Sequence, residues 1–209
     1  MFQIIFATGN EGKMREIRAI LEDVKADILS MKEAGIRLDI EENGQSFAEN
    51  AVIKARAVAD ALAAEERFQD CVVLADDSGL EIDCLNGEPG IHSARYLGEE
   101  TPFDVKSREL LRRMEDVPDE ERNARFVCAI AAVFPDGETI TTRGTIEGRI
   151  GYALKGDNGF GYDPIFYLPE YRRTAAELSD EEKNRISHRS RALALMKEEL
   201  KKRNIRENI

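Results

Sequence analysis

Long apolar runs are missing from this chain, and no stretch is long enough to cross a bilayer. Its opening residues, Met1-Phe2-Gln3-Ile4-Ile5, lack the basic region and apolar core of a secretory leader. Cysteine is sparse: Cys71, Cys84 and Cys128 are odd in number and far apart, which excludes a disulfide framework and a thiolate zinc site. The compartment expected is therefore a reducing cytoplasm. With two histidines, His92 and His188, a histidine-based metal centre is excluded as well. Positive charge is also short, 30 basic against 41 acidic side chains for a net charge of −11. Such a surface repels nucleic-acid backbones, so neither nucleic acid nor membrane is expected as a partner. A small polyanion stays open if a few cations and a metal gather in one place. Internal repeats, low-complexity tracts and linkers are absent too, so residues 1–209 read as a single domain without a sharp internal boundary.

What is present is concentrated in Val72-Val-Leu-Ala-Asp-Asp-Ser-Gly79. The apolar start predicts a buried strand that runs into Asp76 and Asp77 at its C-terminal end. Adjacent carboxylates there repel unless a cation or proton offsets them. Mg²⁺ suits that task, taking one or two carboxylates and keeping positions for phosphate oxygens. The plainer reading is an acidic turn after a strand.

Hydrophobic period predicts the surrounding elements. Phe2 to Ala7 reads as a first strand and Lys13 to about Asp23 as an amphipathic helix on Met14, Ile17, Ile20 and Leu21. Ser46-Phe-Ala-Glu49 is a capping-box pattern opening a long helix to about Glu66. Asp104 to Met114 predicts another helix, and Arg125 to Phe134 a long strand. Asp136-Gly137 then signals a hairpin to a partner strand over Glu138 to Ile146. Ser179-Asp-Glu-Glu182 opens a C-terminal helix bearing Leu193, Leu195, Met196 and Leu200. The class is mixed α/β.

Four further segments carry candidate chemistry. Thr8-Gly-Asn-Glu-Gly-Lys13 joins the first strand to the first helix, where free backbone N–H groups and Lys13 suit an anion. A plain turn is the alternative, since the spacing is neither a P-loop nor a dinucleotide fingerprint. Glu41 and Glu42, before Gly44, either complete a metal site with Asp77 or simply favour the dipole of the helix that follows. Lys54, on a largely apolar helix, must reach solvent or pair with an anion. In Asn158-Gly-Phe-Gly-Tyr-Asp163 the glycines permit close approach and Phe160 offers a flat face to a base, or else plugs the core. Lys183, His188 and Arg189 bring donors together near the last helix, which otherwise reads as a solvated basic face.

In this order and spacing, the segments resemble the inosine triphosphate pyrophosphatase family, also described as dITP/XTP pyrophosphatases. The resemblance spans nearly the whole chain and includes Phe47-Ala-Glu-Asn-Ala-Val-Ile-Lys-Ala55 and Pro89-Gly-Ile-His-Ser-Ala-Arg95. It implies an elongated α/β protein with two lobes flanking a central nucleotide-binding cleft, and a homodimer. The implied reaction is Mg²⁺-dependent hydrolysis of ITP, dITP or XTP to the monophosphate and pyrophosphate, which keeps those nucleotides out of DNA and RNA. By the same resemblance, Thr8, Gly9, Asn10, Glu11, Gly12 and Lys13 would hold the phosphates, with Lys54 adding charge. Glu41 and Asp77 would bind Mg²⁺, and Asp77 would also be the general base. Ser78 would contact substrate, Phe160 would stack on the base, and Gly161, Tyr162, Asp163, Lys183, His188 and Arg189 would complete its pocket. Donors there fit a 6-oxo purine, whereas adenine sets a donor against donors. Two other readings make different predictions: a pyrophosphatase for modified pyrimidine or 7-methylguanine nucleotides, and a nucleotide sensor without turnover.

Overall fold

The computed structural model describes residues 3–67 and 71–203. Among them, seven strands are present: β1 (Gln3–Phe6), β2 (Asp27–Ser30), β3 (Cys71–Ile82), β4 (Asn123–Val133), β5 (Thr139–Ile150), β6 (Phe166–Leu168) and β7 (Arg173–Thr174). They pair in the order β2-β1-β3-β4-β5-β6-β7. β1 runs parallel to both neighbours, with Gln3 opposite Asp27 and Cys71. β6 is antiparallel to β5 and to β7, with Tyr167 opposite Arg149 and Thr174. The helices are α1 (Glu11–Ile20), α2 (Phe47–Ala64), α3 (Phe103–Arg113), α4 (Asp180–Ile186) and α5 (His188–Lys202). The mixed α/β class expected from the sequence is borne out.

The chain folds as two compact units, one of Met1–Asp77, Cys128–Gly144 and Arg189–Ile209, the other of Ser78–Val127 and Thr145–His188. In the first unit, strand period two and helix period 3.6 meet on one apolar face. Ile4 and Phe6 of β1, Val72 and Leu74 of β3, and Cys128, Ile130 and Ala132 of β4 alternate inward. Met14, Ile17 and Leu21 from α1, and Ala192, Leu193, Met196 and Leu200 from α5, complete the cluster. Each large side chain buried there stabilises the unit by about 1.5–3 kcal/mol. The second unit has its own core, built on Leu80, Ile82, Leu110, Met114, Phe126, Ile150 and Phe166. Its buried Arg122 donates to the carbonyls of Ile150, Met114 and Gly151 at 2.9, 2.7 and 2.7 Å, tying the end of α3 to the end of β5.

An exposed staple fixes β2. Glu33 accepts from Arg18 Nη2 at 2.6 Å and from Ser30 N and Oγ at 2.8 Å each. The Arg18 bond first, then those from Ser30, hold the Glu33 carboxyl at about 2. A depressed carboxylate stabilises the fold above its ordinary value of 4.5, and that contribution is lost as pH falls towards 2. The pair is half exposed and screened, so Glu33→Gln is expected to cost under about 1 kcal/mol at neutral pH. Urea melts from pH 7 to pH 2 should show that difference shrinking to nothing at the acid end.

Several elements depart from the sequence reading. The first strand ends at Phe6, and Phe2 lies outside the described residues. β3 continues through Asp76 and Asp77 to Ile82 instead of stopping at them, because cations on each face offset the carboxylates. The expected single C-terminal helix is two: Ser187 is extended (φ −64, ψ 154) and separates α4 from α5. Leu195 faces outward at 52 % exposure, so it is no part of the apolar stripe. Among the described residues, no helix is long and apolar enough to cross a membrane.

Candidate active site

Successive residues of a strand point to opposite faces, so Asp76 and Asp77 are separated by their adjacency. Asp76 shares the parity of Val72 and Leu74 and turns towards α1 and α5. Its Oδ2 lies 3.0 Å from Lys13 Nζ and 3.3 Å from Arg189 Nη2. Burial alone would raise its pKa, but Lys13 and Arg189 more than reverse this and hold it well below the usual carboxylate range. Asp77 turns towards α2, where Asn50 Nδ2 donates to its Oδ2 at 3.1 Å and Lys54 Nζ lies 3.5 Å from its Oδ1. The two acids thus do not share a single cation.

Glu42 is the second carboxylate at the Asp77 face. Lys54 Nζ lies 3.1 Å from Glu42 Oε2, and Glu42 adds repulsion at Asp77. Glu41, the residue expected there from the sequence, is exposed. Asn50 sets this arrangement: its Oδ1 accepts from Gly44 N at 2.9 Å while its amide holds Asp77, so one buried side chain links the acidic loop to the strand. A Cβ on Gly44 would lie 2.7 Å from that Oδ1, which restricts the position to glycine. Asn50 and Lys54 are four residues apart and share one helix face. That spacing was the available signal for Asn50, which sequence reasoning left without a role.

Burial first, then Glu42, pushes the Asp77 carboxyl above its ordinary value, with Lys54 opposing. Lys54 goes the other way: burial lowers it, and Asp77, Asp76 and Glu42 more than restore it to a raised value. Two hard carboxylates therefore converge with charge that one ammonium does not fully offset. Carboxylate oxygens in that state fit Mg²⁺, which needs one or two protein carboxylates beside substrate oxygens. Among the described residues, no cluster of three His, Cys, Asp or Glu suits a protein-only metal cage.

The turn before α1 is held by its own side chains. Asn10 caps the helix, its Oδ1 accepting from Lys13 N at 3.0 Å, and Thr8 Oγ1 accepts from Asn10 N at 3.2 Å. Gly9, Asn10 and Glu11 are exposed, with Thr8, Gly12 and Lys13 half-buried. This leaves an exposed backbone turn at a helix start beside an ammonium, which suits phosphate oxygens.

The other predicted residues, Arg189 apart, belong to the second unit, with Ser78 half-buried on β3. Asp163 Oδ2 accepts from Phe160 N at 2.8 Å and from Lys183 Nζ at 2.6 Å, and that ammonium lies 4.8 Å from the Phe160 ring centroid. Gly159 has φ +76 and a Cβ there would lie 2.2 Å from Asp163 Oδ2, so the loop closes only with glycine. The sequence reading had Tyr162 lining a base pocket. Instead its side chain is buried, with the OH donating to Ser93 O at 2.9 Å and the ring edge-on to Phe103 at 5.2 Å. His188 stacks on Phe126 at 5.0 Å beside a cavity of about 10 Å³, room for one water.

Arg189 lies at the start of α5. It belongs to the first unit, is 1 % exposed, and ion-pairs with Glu16 and Asp76. A buried guanidinium needs matched charge, and the two carboxylates supply it.

Comparison with known proteins agrees over nearly the full chain. Residues 4–199 match the Ham1 family. A dITP/XTP pyrophosphatase of Clostridium perfringens is 48 % identical over 201 residues, covering 96 % of this chain and 98 % of that protein. One from Halalkalibacterium halodurans is 50 % identical over 193 residues, covering 92 % and 96 %. The solved structure of the Staphylococcus aureus Ham1 protein superposes with a TM-score of 0.83 at 41 % identity, covering 96 % of this chain and 99 % of that one.

Proposed function

The chain belongs to the Ham1 family, and we propose that it hydrolyses deaminated purine nucleoside triphosphates (ITP, dITP and XTP) to the monophosphate and pyrophosphate, with Mg²⁺. The observation that carries this reading is the convergence of Asp77, Glu42 and Lys54, braced by Asn50.

Asp77 is the general base. It is held by Asn50 and Lys54, and its carboxylate accepts the proton of the water that attacks the α-phosphorus. Glu42 and Asp77 would hold Mg²⁺, which would neutralise charge on the phosphoryl oxygens. Lys54 adds a fixed positive charge beside them, and Lys13 with the backbone turn from Thr8 binds the remaining oxygens. The water, the base and the phosphate are then positioned together, which lowers the entropic part of the barrier.

Phe160 stacks on the purine, and Lys183 stands over its ring as a donor for a 6-oxo group. The 6-amino group of adenine would face that donor with another donor, a mismatch of about 1–3 kcal/mol, roughly 5- to 150-fold. The carbonyl preference follows from the lysine having no acceptor.

Pyrophosphate release measured across ITP, XTP, dITP, ATP, GTP, dUTP and 7-methyl-GTP, with and without Mg²⁺, tests the reading. Release from the deaminated purines, with kcat/KM about 5- to 150-fold above ATP and abolished by EDTA, is the expected result. Equal turnover of ATP, or preference for dUTP or 7-methyl-GTP, would replace this function with another. ITP binding without pyrophosphate release would make the protein a sensor.

A further inference from the structure

Pro89-Gly-Ile-His-Ser-Ala-Arg95 takes no part in the proposed chemistry, yet its backbone is pinned from several directions. β1 pairs with β3 only as far as Leu74, and the buried Leu80 further along takes a side-chain acceptor instead, its N–H donating to Ser93 Oγ at 2.9 Å. The same hydroxyl donates to Gly90 O at 2.6 Å, across the short helical turn Gly90–His92. Ser93 O accepts from the Tyr162 hydroxyl at 2.9 Å, and the next carbonyl, Ala94 O, accepts from Lys106 Nζ on α3. That ammonium also stands 4.8 Å over the Phe103 ring, which meets Tyr162 edge-on at 5.2 Å. Ser93, Lys106 and Tyr162 are all buried. Ser93 is therefore a joint: its side chain holds β3 just beyond Ser78, and its carbonyl holds the loop just before Asp163.

We infer that Ser93 is a positioning residue for the base-binding loop, fixing through Tyr162 where the Phe160 ring stands. This role rests on the proposed stacking of Phe160 on the purine. Asp163 Oδ2 accepts from Phe160 N at 2.8 Å, so the turn that carries the ring is closed on itself. A self-closed turn keeps its shape but pivots as a body unless something outside it sets its direction. The Tyr162 hydroxyl, within that turn, supplies the outside anchor by reaching Ser93 O. An anchor of this kind is only as precise as the carbonyl it grips, because a hydrogen bond weakens steeply once its geometry is lost. The Ser93 hydroxyl fixes that carbonyl by accepting from Leu80 N and donating to Gly90 O at once, which a serine does with one atom. Alanine there leaves a buried N–H without its acceptor, and the segment must shift to satisfy it. Lys106 ties the adjacent carbonyl to α3, so the segment does not simply follow a loop that moves.

The test is calorimetric binding of two probes to the full chain with Mg²⁺: inosine monophosphate, which carries the base, and inorganic tripolyphosphate, which does not. In Ser93→Ala the Kd of inosine monophosphate is expected to rise by about five- to twentyfold, while that of tripolyphosphate stays within about twofold. General loosening of the fold would weaken both probes alike. Tyr162→Phe removes the hydroxyl alone and should give the same split. Both changes break one link, so the double variant should bind inosine monophosphate within about twofold of the weaker single variant. Unchanged inosine monophosphate binding in Ser93→Ala overturns the inference, as does an equal loss of both probes or losses that multiply in the double variant. Should Ser93→Ala not fold, Tyr162→Phe decides alone by the same split. Failure of the wild-type protein to release pyrophosphate from ITP is a separate result, which strikes the proposed function while the binding split still decides the role of Ser93.

Discussion

Asp77→Asn is expected to lower ITP turnover by about 10²- to 10⁴-fold, the range of a positioned general base, while nucleotide binding survives. The amide has the size of the carboxylate and still offers an oxygen to Asn50 Nδ2, now 3.1 Å from Asp77 Oδ2, so local packing is retained. It cannot take a proton from water, and it brings one fewer negative charge to the Glu42 face. Single-turnover pyrophosphate release and equilibrium binding of a non-hydrolysable ITP analogue separate the two effects. A rate within tenfold of wild type would remove Asp77 from the role of base.

The sequence made some of this site readable because short-range physics decides it. The strand, Asn-capped turn and helix at Phe6 to Lys13 are local, and the observed cap at Asn10 is of the type that residue supplies. Ser46 likewise caps α2 as its pattern predicts, although Glu49 returns to Gln45 N at 2.7 Å. Period two along β3 already implied that Asp76 and Asp77 face opposite ways, yet side-by-side acids invite the reading of a common ion. Between Glu41 and Glu42 there was nothing to choose, since the segment has no regular period and Asn50's reach to Gly44 is tertiary. The same holds for Arg189. Its neighbours in sequence, Lys183 and His188, pack in the second unit, while its own partners lie more than a hundred residues earlier in the chain. β2, β6 and β7, of four, three and two residues, are too short to display a period at all.

Lys54→Ala is expected to give the largest change in stability, and its response to Mg²⁺ tests the proposed metal position independently of turnover. Lys54 is mostly buried between Glu42 Oε2 at 3.1 Å and Asp77 Oδ1 at 3.5 Å. Removing one partner of a buried ion pair costs about 3–5 kcal/mol because the remaining charge is left uncompensated. For a chain of this size each kcal/mol corresponds to roughly 2–4 °C, so the Tm should fall by about 6–20 °C. Two carboxylates facing one another without the ammonium then bind a hard divalent cation more tightly, and a ligand that binds the folded state stabilises it. Thermal melts with increasing Mg²⁺ should therefore recover more of the Tm in Lys54→Ala than they add to the wild-type protein. Lys54→Met, which keeps the apolar stem, separates lost packing from lost charge and should show the same Mg²⁺ response. An equal Mg²⁺ shift in all three proteins would place the cation away from Glu42 and Asp77, and would return these two acids to a purely structural pairing with Lys54.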